Sequence, residues 1–450
     1  MDIHIYLKLL GQILNNMFKF LTLIIFSGVL MANSLPKYYT QTLDNGLKIV
    51  AVPMQNGTDV ITTNIFYKVG SRDETMGKTG IAHMLEHLNF KSTKKLKAGE
   101  FDTIVKGFGG VNNASTGFDY TQYFIKSSTK NASKSLELFA ELMQNLTLKD
   151  KEFQPERDVV AEERLWRTDN NPMGYMQFRM FNNMYIYHPY HWTPIGFTND
   201  IKNWTIEDVR DFHSTYYQPK NAIVVISGDI DKKTVFKLAK KYFGDIKNTK
   251  AIPKKVHTIE PVQDGEKNVV VYKDSQVQMI SIAFHIPNFE HKDQVALSAL
   301  SEMLSSGKSS ILQKILVDEK QLVNSVYGYN METKDPGVFV FTAVCNPGID
   351  ANDVKKEIWK IIKNIQKGNI TKSDLEKVKI NTKADFIFSL ESSSSVANLY
   401  GSYFARGNID PLFSYEQDIE NLKIKDLINV AKKYLTKKNS TTIILKKEEK

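Results

Sequence analysis

The most informative stretch of this 450-residue chain is Gly80-Ile81-Ala82-His83-Met84-Leu85-Glu86-His87-Leu88. Its apolar residues recur at helical spacing, and at about 100° per residue two histidines, His83 and His87, project from nearly the same side of a helix, one turn apart. Glu86 lies on the adjoining flank. We therefore expect a helix over residues 79–89 that brings two imidazoles and a carboxylate close together.

Two interpretations of this histidine pair are open. The residues could be solvated or core positions of an ordinary amphipathic helix, or they could bind a metal ion. The helix already has a packing face in Ile81, Met84, Leu85 and Leu88. Folding therefore does not require the polar residues, which favours metal binding. Neutral imidazole suits Zn²⁺, whose catalytic sites use three protein ligands and leave a position for water. Glu86 is placed to take a proton from that water.

Composition places the chain among ordinary globular proteins. It has 59 Lys and Arg against 50 Asp and Glu, a net charge of +9, and 42% hydrophobic residues. These values exclude a disordered chain, a collagen-like fibre and a polytopic membrane protein. The basic charge is spread without a long Lys/Arg block, so we expect no nucleic-acid partner. A single cysteine, Cys345, excludes an internal disulfide and a cysteine-based zinc site, and we expect it to be inert core.

The start of the chain has the layout of a secretory signal. An apolar run from Phe20 to Leu30 follows Lys19 and precedes small residues. The run is too short to span a bilayer comfortably. We predict a signal peptide over residues 1–34, with Met17 as a possible true start, export to a bacterial periplasm, and no stable membrane span in the mature chain. The alternative is an amphipathic helix of the mature protein.

The rest of the chain divides into two halves with a similar order of elements, which indicates a duplicated α+β unit. We predict domains over residues 35–245 and 267–450, joined by a linker over residues 246–266 that is rich in Lys, Pro and Asp. The predicted strands cover 48–52, 60–67, 120–127, 221–227, 268–272, 278–286 and 337–345, and a last helix and strand are predicted over 424–445. The predicted helices cover 134–146, 156–167 with Pro155 at its head, 232–243, 293–304, 309–317, 350–368 and 372–391.

The motif His83-Met84-Leu85-Glu86-His87 resembles the inverted zinc motif H-x-x-E-H of the pitrilysin/insulinase metallopeptidases, the inverzincins. The stretch from Glu156 to Glu163 is similar to that family's E-R-x-x-V-x-x-E helix, and Glu163 lies 76 residues after His87. By this resemblance His83, His87 and Glu163 bind one Zn²⁺ ion, and Glu86 activates water. Glu156 is implied as an accessory carboxylate that orients or tunes the site. Glu162 is a competing ligand, and a solvated acidic face is the alternative for all three carboxylates of this helix.

The resemblance extends to the segment after the motif. Asn112-Asn113-Ala114 and the residues that follow are similar to the family's strand beside the metal, where an extended peptide substrate adds as a further strand. Asn112, Asn113 and Ala114 are thus implied to bind substrate. Without the family, Asn-Asn would be interpreted as a turn. A loop with two further histidines, His188-Pro189-Tyr190-His191, is similar to a structural loop of the family and is left unassigned.

The second half departs from the family pattern. A segment similar to L-R-E-K-x-G-L-x-Y supplies an Arg and a Tyr that contact substrate and the developing oxyanion. Here Val317 and Asn324 stand at those two positions, and neither can take that role. The family's two-domain members form half of a clamshell, each domain a mostly antiparallel sheet packed with helices. We therefore expect a related subunit to supply the Arg/Tyr pair in a heterodimer, with a homodimer as the alternative.

The resemblance as a whole implies a zinc-dependent endopeptidase that acts on peptides or unfolded segments, similar to bacterial relatives of the mitochondrial processing peptidase β subunit. The second half is expected to lack a metal site of its own. A non-catalytic peptide-binding or scaffold subunit is the alternative from another functional class. A processing factor that trims one dedicated peptide is a third possibility.

Overall fold

A computed structural model describes residues 34–253 and 258–448 of the chain. Residues 36–450 form one unit, and residues 1–35 form another, of which Ser34 and Leu35 are described. The predicted signal peptide, residues 1–34 with its possible start at Met17, therefore lies outside the described residues except for Ser34. Among the described helices, none combines the length and the apolar character that crossing a membrane requires.

The first sheet contains six strands: β1 Tyr39–Thr42, β2 Lys48–Pro53, β3 Val60–Tyr67, β4 Val111–Thr116, β5 Thr121–Ser128 and β6 Ala222–Gly228. Their order is β1-β2-β6-β3-β5-β4, with β2 and β6 parallel and every other pair antiparallel. Strand β6 is buried along its whole length, as its run of β-branched residues predicts. Strand β4 lies at the edge of the sheet.

The second sheet repeats this plan. Its strands are β7 Lys267–Lys273, β8 Met279–His285, β9 Val323–Met331, β10 Val338–Cys345 and β11 Ser440–Lys447, in the order β7-β11-β8-β10-β9. Strands β7 and β11 are parallel, and the other pairs are antiparallel. Without β1, the first sheet has the same order and the same directions, with β2 matching β7 and β4 matching β9. The predicted fold class, two similar units with mostly antiparallel sheets packed with helices, is confirmed.

The described helices surround these sheets. They are α1 Ile81–Leu88, α2 Glu100–Gly107, α3 Ala132–Asn145, α4 Asp150–Arg164, α5 Pro172–Met184, α6 Thr198–Asn203, α7 Ile206–Tyr216, α8 Lys232–Phe243, α9 Gln294–Ser305, α10 Ala351–Gln366, α11 Lys372–Ser389, α12 Ser393–Arg406, α13 Asp410–Asn421 and α14 Ile424–Tyr434. A π-helical turn, Leu165–Asp169, continues α4, and another covers Gln313–Glu319. Between Phe243 and Lys267 the described residues contain neither helix nor strand.

The two halves interlock through one helix each. Helix α5 of the first half packs the buried Met180 against strands of the second sheet, among them Val340 of β10. Helix α12 of the second half packs on the first sheet, where Asn398 accepts a hydrogen bond of 2.9 Å from the amide of Asn64. A Cβ atom at Gly401 would lie 2.0 Å from the ring of Phe66, so this contact requires glycine. The halves therefore share buried surface.

Two predicted helices differ in the structure. Helix α4 begins at Asp150, five residues before Pro155, although an internal proline costs a helix about 3 kcal/mol. The fully buried Phe153 fixes the first turns of α4 against the core, so tertiary packing outweighs the local preference. The predicted helix over residues 309–317 is replaced from Gln313 onward by the π-helical turn. Strand β9 and helices α5, α6, α7, α12 and α13 were not expected from the sequence.

Candidate metal centre and peptide-binding edge

Helix α1 is fixed at its start by a buried carboxylate. Glu74 accepts hydrogen bonds of 2.8 Å from the backbone amides of Gly80 and Ala82, and one of 2.9 Å from the indole of Trp192. These bonds satisfy amide groups that the first turn of a helix leaves free. Gly80 has φ of 85°, and a Cβ atom there would lie 2.5 Å from the carbonyl oxygen of Ile195. The helix that carries the histidines therefore begins at a defined place.

Helix α4 presents its carboxylates to the same place. The buried Phe153 and Val160 hold the helix against the core, which turns Glu156 and Glu163 toward α1. The guanidinium of Arg164, also buried, donates to the carbonyl oxygen of Gly196, in the loop that borders the start of α1. The two helices that carry the predicted ligands are thus tied to one loop.

The structure brings His83, His87 and Glu163 together as one group whose ligand atoms all lie within 4.8 Å of one another. Glu163 Oε2 lies 3.6 Å from His83 Nε2 and 3.3 Å from His87 Nε2. Ligands about 2.0–2.1 Å from a tetrahedral Zn²⁺ ion are about 3.3 Å apart, so these separations and this donor set fit zinc. The competing candidate Glu162 is exposed and is not part of the group.

A second set of contacts orients the three residues. Glu156 Oε1 lies 2.8 Å from Nδ1 of His87, which leaves Nε2 to face Glu163. Lys91 reaches Glu156 at 2.5 Å, and Arg167 reaches Oε1 of Glu163 at 2.9 Å. Carboxylates that hold the second ring nitrogen of a ligand histidine are a usual support of metal sites. Lys91 and Arg167 were not singled out in the sequence, although each lies four residues after a ligand, a spacing that brings helical side chains together.

The two histidines have opposite electrostatic environments. Burial, together with the charge of His87, lowers the pKa of His83 to about 4. Burial also opposes a charge on His87, but its hydrogen bonds to Glu156 and Glu163 outweigh that effect and raise its pKa to about 9. The hydrogen bond from His87 lowers the pKa of Glu163 despite partial burial. In the metal-free protein at neutral pH, both ring nitrogens of His87 therefore carry a proton, and a bound cation would replace the proton on Nε2.

Glu86 stands beside this group. Its Oε2 accepts a hydrogen bond of 2.5 Å from the hydroxyl of Thr116, the last residue of β4. Burial raises the pKa of Glu86, and the bond from Thr116 offsets part of that rise. The carboxylate is thus held at the metal group with a pKa moved toward neutrality, as a proton acceptor and donor requires. Thr116 had no signal of its own in the sequence, since the contact joins residues 30 positions apart.

Asn112 and Asn113 lie in strand β4, so the interpretation as a turn was wrong and the strand implied by the resemblance is present. The binding of substrate to this strand stays a prediction. Asn112 turns inward and donates a 2.8 Å hydrogen bond to Asp102. The amide of Ala114 donates to the side chain of Asn113 at 2.9 Å. This amide therefore points away from β5, along the open edge that leads to Thr116 and Glu86.

A cavity of about 550 Å³ opens beside the metal group, next to His83, Glu163 and Thr116. Its other walls include Phe118, Trp166, Met173, Phe178 and Phe181. Trp166 lies in the π-helical turn three residues after Glu163, and its side chain is 72% exposed. The cavity can receive a large side chain of a ligand that lies along β4.

Family models match most of the chain. One, described as Insulinase (Peptidase family M16), covers residues 49–189, and another, described as Peptidase M16 inactive domain, covers residues 203–382. The chain belongs to peptidase family M16. This confirms the resemblance to the pitrilysin/insulinase metallopeptidases.

Curated relatives of the M16 chain carry protease names. Zinc protease PqqE of Helicobacter pylori is 55% identical over 415 residues, which cover 92% of this chain and 93% of that protein. The probable mitochondrial-processing peptidase subunit beta of Arabidopsis thaliana is 24% identical over 429 residues, 90% of this chain and 78% of that protein. These names support a peptidase role and zinc as the metal.

Solved structures agree with the M16 fold. The crystal structure of a protease from Helicobacter pylori matches with a TM-score of 0.90 at 55% identity, over 92% of this chain and 100% of that chain. A peptidase M16 inactive domain from Pseudomonas fluorescens matches with a TM-score of 0.84 over 92% and 98% of the two chains, and at 14% identity this shows the fold alone. The periplasmic protease PqqL from Escherichia coli matches with a TM-score of 0.76 at 18% identity, over 91% of this chain and 47% of that one.

Of the two histidines left unassigned in the sequence, His188 joins the two halves of this M16 chain, whereas His191 makes a local contact within the first half. His188 Nε2 lies 2.9 Å from Asp335, and Nδ1 of His191 donates to the carbonyl oxygen of Tyr185 at 2.5 Å. Arg72 donates to the same carboxylate of Asp335 at 2.6 Å. Neither histidine belongs to a group of metal-ligating side chains within the described residues.

The two positions where the chain departs from the family pattern lie in the second half. Val317 is in the π-helical turn and packs against the core of that half. Asn324 is exposed near the start of β9, the strand that matches β4 in the duplicated plan. The described part of the second half contains no group of three metal-ligating side chains like that of the first half.

Proposed function

We propose that this chain is the zinc-bearing subunit of a zinc-dependent endopeptidase. The observation that carries the proposal is the approach of His83, His87 and Glu163 at the spacing of tetrahedral ligands, with the Glu86 carboxylate beside them. Membership of a peptidase family, with relatives named zinc proteases, supports it.

The proposed roles follow from the contacts of each side chain. When bound, zinc would act as a Lewis acid that polarises water and the scissile carbonyl. His83, His87 and Glu163 would hold it, and Glu156 would keep His87 in the tautomer that presents Nε2. Glu86 accepts a proton from the attacking water and passes it to the leaving amine.

The substrate is proposed to be an extended peptide or an unfolded segment. It would pair with the open edge of β4, where the amide of Ala114 points outward and Asn112 and Asn113 lie just before it. Pairing through the backbone selects extended chains and tolerates varied side chains. The cavity beside His83 and Glu163 would receive one side chain near the cleaved bond.

The proposed enzyme is completed by a second chain. Val317 has no hydrogen-bond donor, and the side chain of Asn324 is shorter than that of a Tyr, so we infer that a related subunit would supply the Arg/Tyr pair across the cleft. The two chains would form a heterodimeric clamshell, of which this chain is half. A homodimer is the alternative, and it would leave the oxyanion without the pair.

We also propose that the protein is exported to the periplasm of a bacterium. The support is the basic and apolar layout of residues 1–34, together with the fold shared with a protease described as periplasmic. N-terminal sequencing of the protein purified from its native host would test the proposal. We expect the mature protein to begin near residue 35. A cytoplasmic protein that still contains residues 18–34 would contradict the proposal.

The proposed chemistry is tested by Glu86→Gln, which keeps the shape of the side chain and removes the proton acceptor. The full-length chain, purified from its native host with any associated subunit, should keep one zinc ion and lose about 10²–10⁴-fold of its turnover of unfolded peptides. Glu162→Gln, an exposed change on α4, is the matched control and should retain full activity. Zinc content and turnover unchanged in Glu86→Gln would refute the proposal.

A non-catalytic, peptide-binding subunit is the second candidate. The description of the matched C-terminal family model as an inactive domain, and the residues at positions 317 and 324, favour it. It predicts that the purified protein binds unfolded peptides but does not cleave them, with or without added zinc. Zinc-dependent cleavage that stops in Glu86→Gln excludes this candidate.

A further inference from the structure

We propose that Thr116 is a positioning residue that ties the peptide-binding edge to the proton acceptor Glu86. The proposal rests on the proposed function, because it assigns Thr116 a role in the reaction that Glu86 would perform. Thr116 is the last residue of β4, and its hydroxyl donates the 2.5 Å hydrogen bond to Oε2 of Glu86. No other hydrogen bond to the Glu86 side chain is formed within the described part of the chain.

The bond connects two elements that are fixed independently. Helix α1, which carries Glu86, is fixed by Glu74 and by its buried face. Strand β4 is fixed by its ladder with β5, where Thr116 pairs with Thr121. The Glu86 side chain can rotate about three bonds between these elements, and the hydroxyl of Thr116 removes most of that freedom.

The hydrogen bond from Thr116 leaves one carboxylate oxygen of Glu86 free. The Thr116 hydroxyl donates to Oε2, so Oε1 remains available to take a proton from water. Thr116 is on the same face of β4 as Asn112 and Ala114, since strand side chains alternate. Strand β4 would therefore position both the paired peptide and, through Thr116, the carboxylate of Glu86. The distance from the cleaved bond to Oε1 of Glu86 would be fixed in this way.

The test compares Thr116→Val, which replaces the hydroxyl by a methyl group at constant shape, with Thr116→Ser, which keeps the hydroxyl. The full-length chain with any associated subunit is assayed on an unfolded peptide. We expect kcat of Thr116→Val to fall about 10–100-fold, as for loss of a hydrogen bond to a charged group, with KM within about twofold. Zinc content and the unfolding temperature should stay unchanged, and Thr116→Ser should restore kcat to within a few-fold.

Several outcomes would overturn the proposal while leaving the proposed function intact. One is full kcat in Thr116→Val when Glu86→Gln is inactive. Another is a rise in KM at constant kcat, which would assign Thr116 to peptide binding alone. If Thr116→Val does not fold, Thr116→Ala is measured against Thr116→Ser by the same criteria. Activity retained in Glu86→Gln would instead refute the proposed function itself.

Discussion

His87 is held at both ring nitrogens, whereas His83 is held at one. Nδ1 of His87 faces Glu156 at 2.8 Å and Nε2 faces Glu163 at 3.3 Å, while Nδ1 of His83 is buried without a hydrogen-bond partner among the described residues. The orientation of His83 therefore depends on packing and on the ligand that Nε2 meets. A metal ion at the centre would satisfy Nε2 of both rings at once.

The assignment of the third ligand gives a prediction at the residue scale. Glu163→Gln should weaken zinc binding at least about 100-fold, because an amide is a poor ligand and leaves Arg167 without its carboxylate. Glu162→Gln, one position away and exposed, should bind zinc like the unchanged chain. Competition with a chromophoric chelator measures both affinities. Equal affinities in the two variants would show that residue 163 is not a ligand.

The residues of the site differ in how far the sequence could predict them. Helical spacing alone placed His83, Glu86 and His87 together. Glu163 and Glu156 lie on another helix, and only the resemblance to a family connected them with the motif. Thr116 was not predicted, because its contact with Glu86 depends on where an edge strand ends against a helix, which local sequence patterns do not contain.

At the scale of elements, the start of α1 depends on the carboxyl group of Glu74, which is buried and forms no ion pair within the described part of the chain. Burial raises the pKa of Glu74 to about 8, although the amides of Ala82 and Gly80 and the indole of Trp192 oppose that rise. Trp192 lies 118 residues after Glu74 in the chain. Glu74, six residues before Gly80, takes the place of a capping side chain at the start of α1, and Trp192 holds it there from a distant part of the chain.

Helix α7 gives a prediction for the dependence of stability on pH. Burial lowers the pKa of His213 from 6.5 to about 4. As the pH falls, His213 takes up a proton in the unfolded chain before it does so in the folded chain. His213 therefore leaves the free energy of unfolding unchanged above pH 6.5 and lowers it as the pH falls toward 4. Each such histidine reduces the free energy of unfolding by about 1.4 kcal/mol per pH unit in this window. His213→Phe should therefore lose less stability than the unchanged chain between pH 6.5 and 4.5.

Urea unfolding of both metal-free proteins at pH 6.5, 5.5 and 4.5 measures this difference. Two curves of free energy against pH that run parallel would contradict the assignment of a neutral, buried imidazole at residue 213. The comparison isolates one residue, because the acidic groups and the similarly buried His285, whose pKa burial also lowers to about 4, contribute equally to both proteins.

Elements with a clear periodic pattern were predicted well, and those defined by tertiary contacts were not. Helix α8 was predicted at its observed bounds, and the strands that became β2, β3 and β6 to within a residue. Helix α12 was missed, since its Ser-rich start carries no apolar stripe and its buried face meets a sheet of the other half. In α4, the packing of Phe153 set the start of the helix in spite of Pro155.

At the scale of the whole molecule, the chain has two similar sheets. Among the described residues, the group of His83, His87 and Glu163 lies in the first half alone. The edge strand β4 ends at Glu86, while its counterpart β9 carries the exposed Asn324. The order of elements in the sequence was enough to predict the duplication. It did not predict the exchange of α5 and α12 between the halves, because neither helix was predicted and the apolar residues of a helix do not specify which sheet they cover.

The halves are also joined beside the start of α1. Asp335, in the turn between β9 and β10, accepts hydrogen bonds from Arg72 and His188, and these bonds lower its pKa despite burial. Arg72 lies two residues before Glu74, which caps α1. The second half, which lacks a metal group among its described residues, therefore contributes to the placement of the histidine helix in the first.

The central claim is that two imidazoles and one distant carboxylate hold a single zinc ion. The X-ray absorption spectrum at the zinc edge, recorded on the full-length chain together with its metal content, tests it most directly. We predict one zinc per chain, with two imidazole nitrogens at about 2.0–2.1 Å and oxygen ligands completing the coordination. A zinc content near zero after purification without chelator, or a bound ion whose spectrum contains no imidazole ligands, would contradict the account.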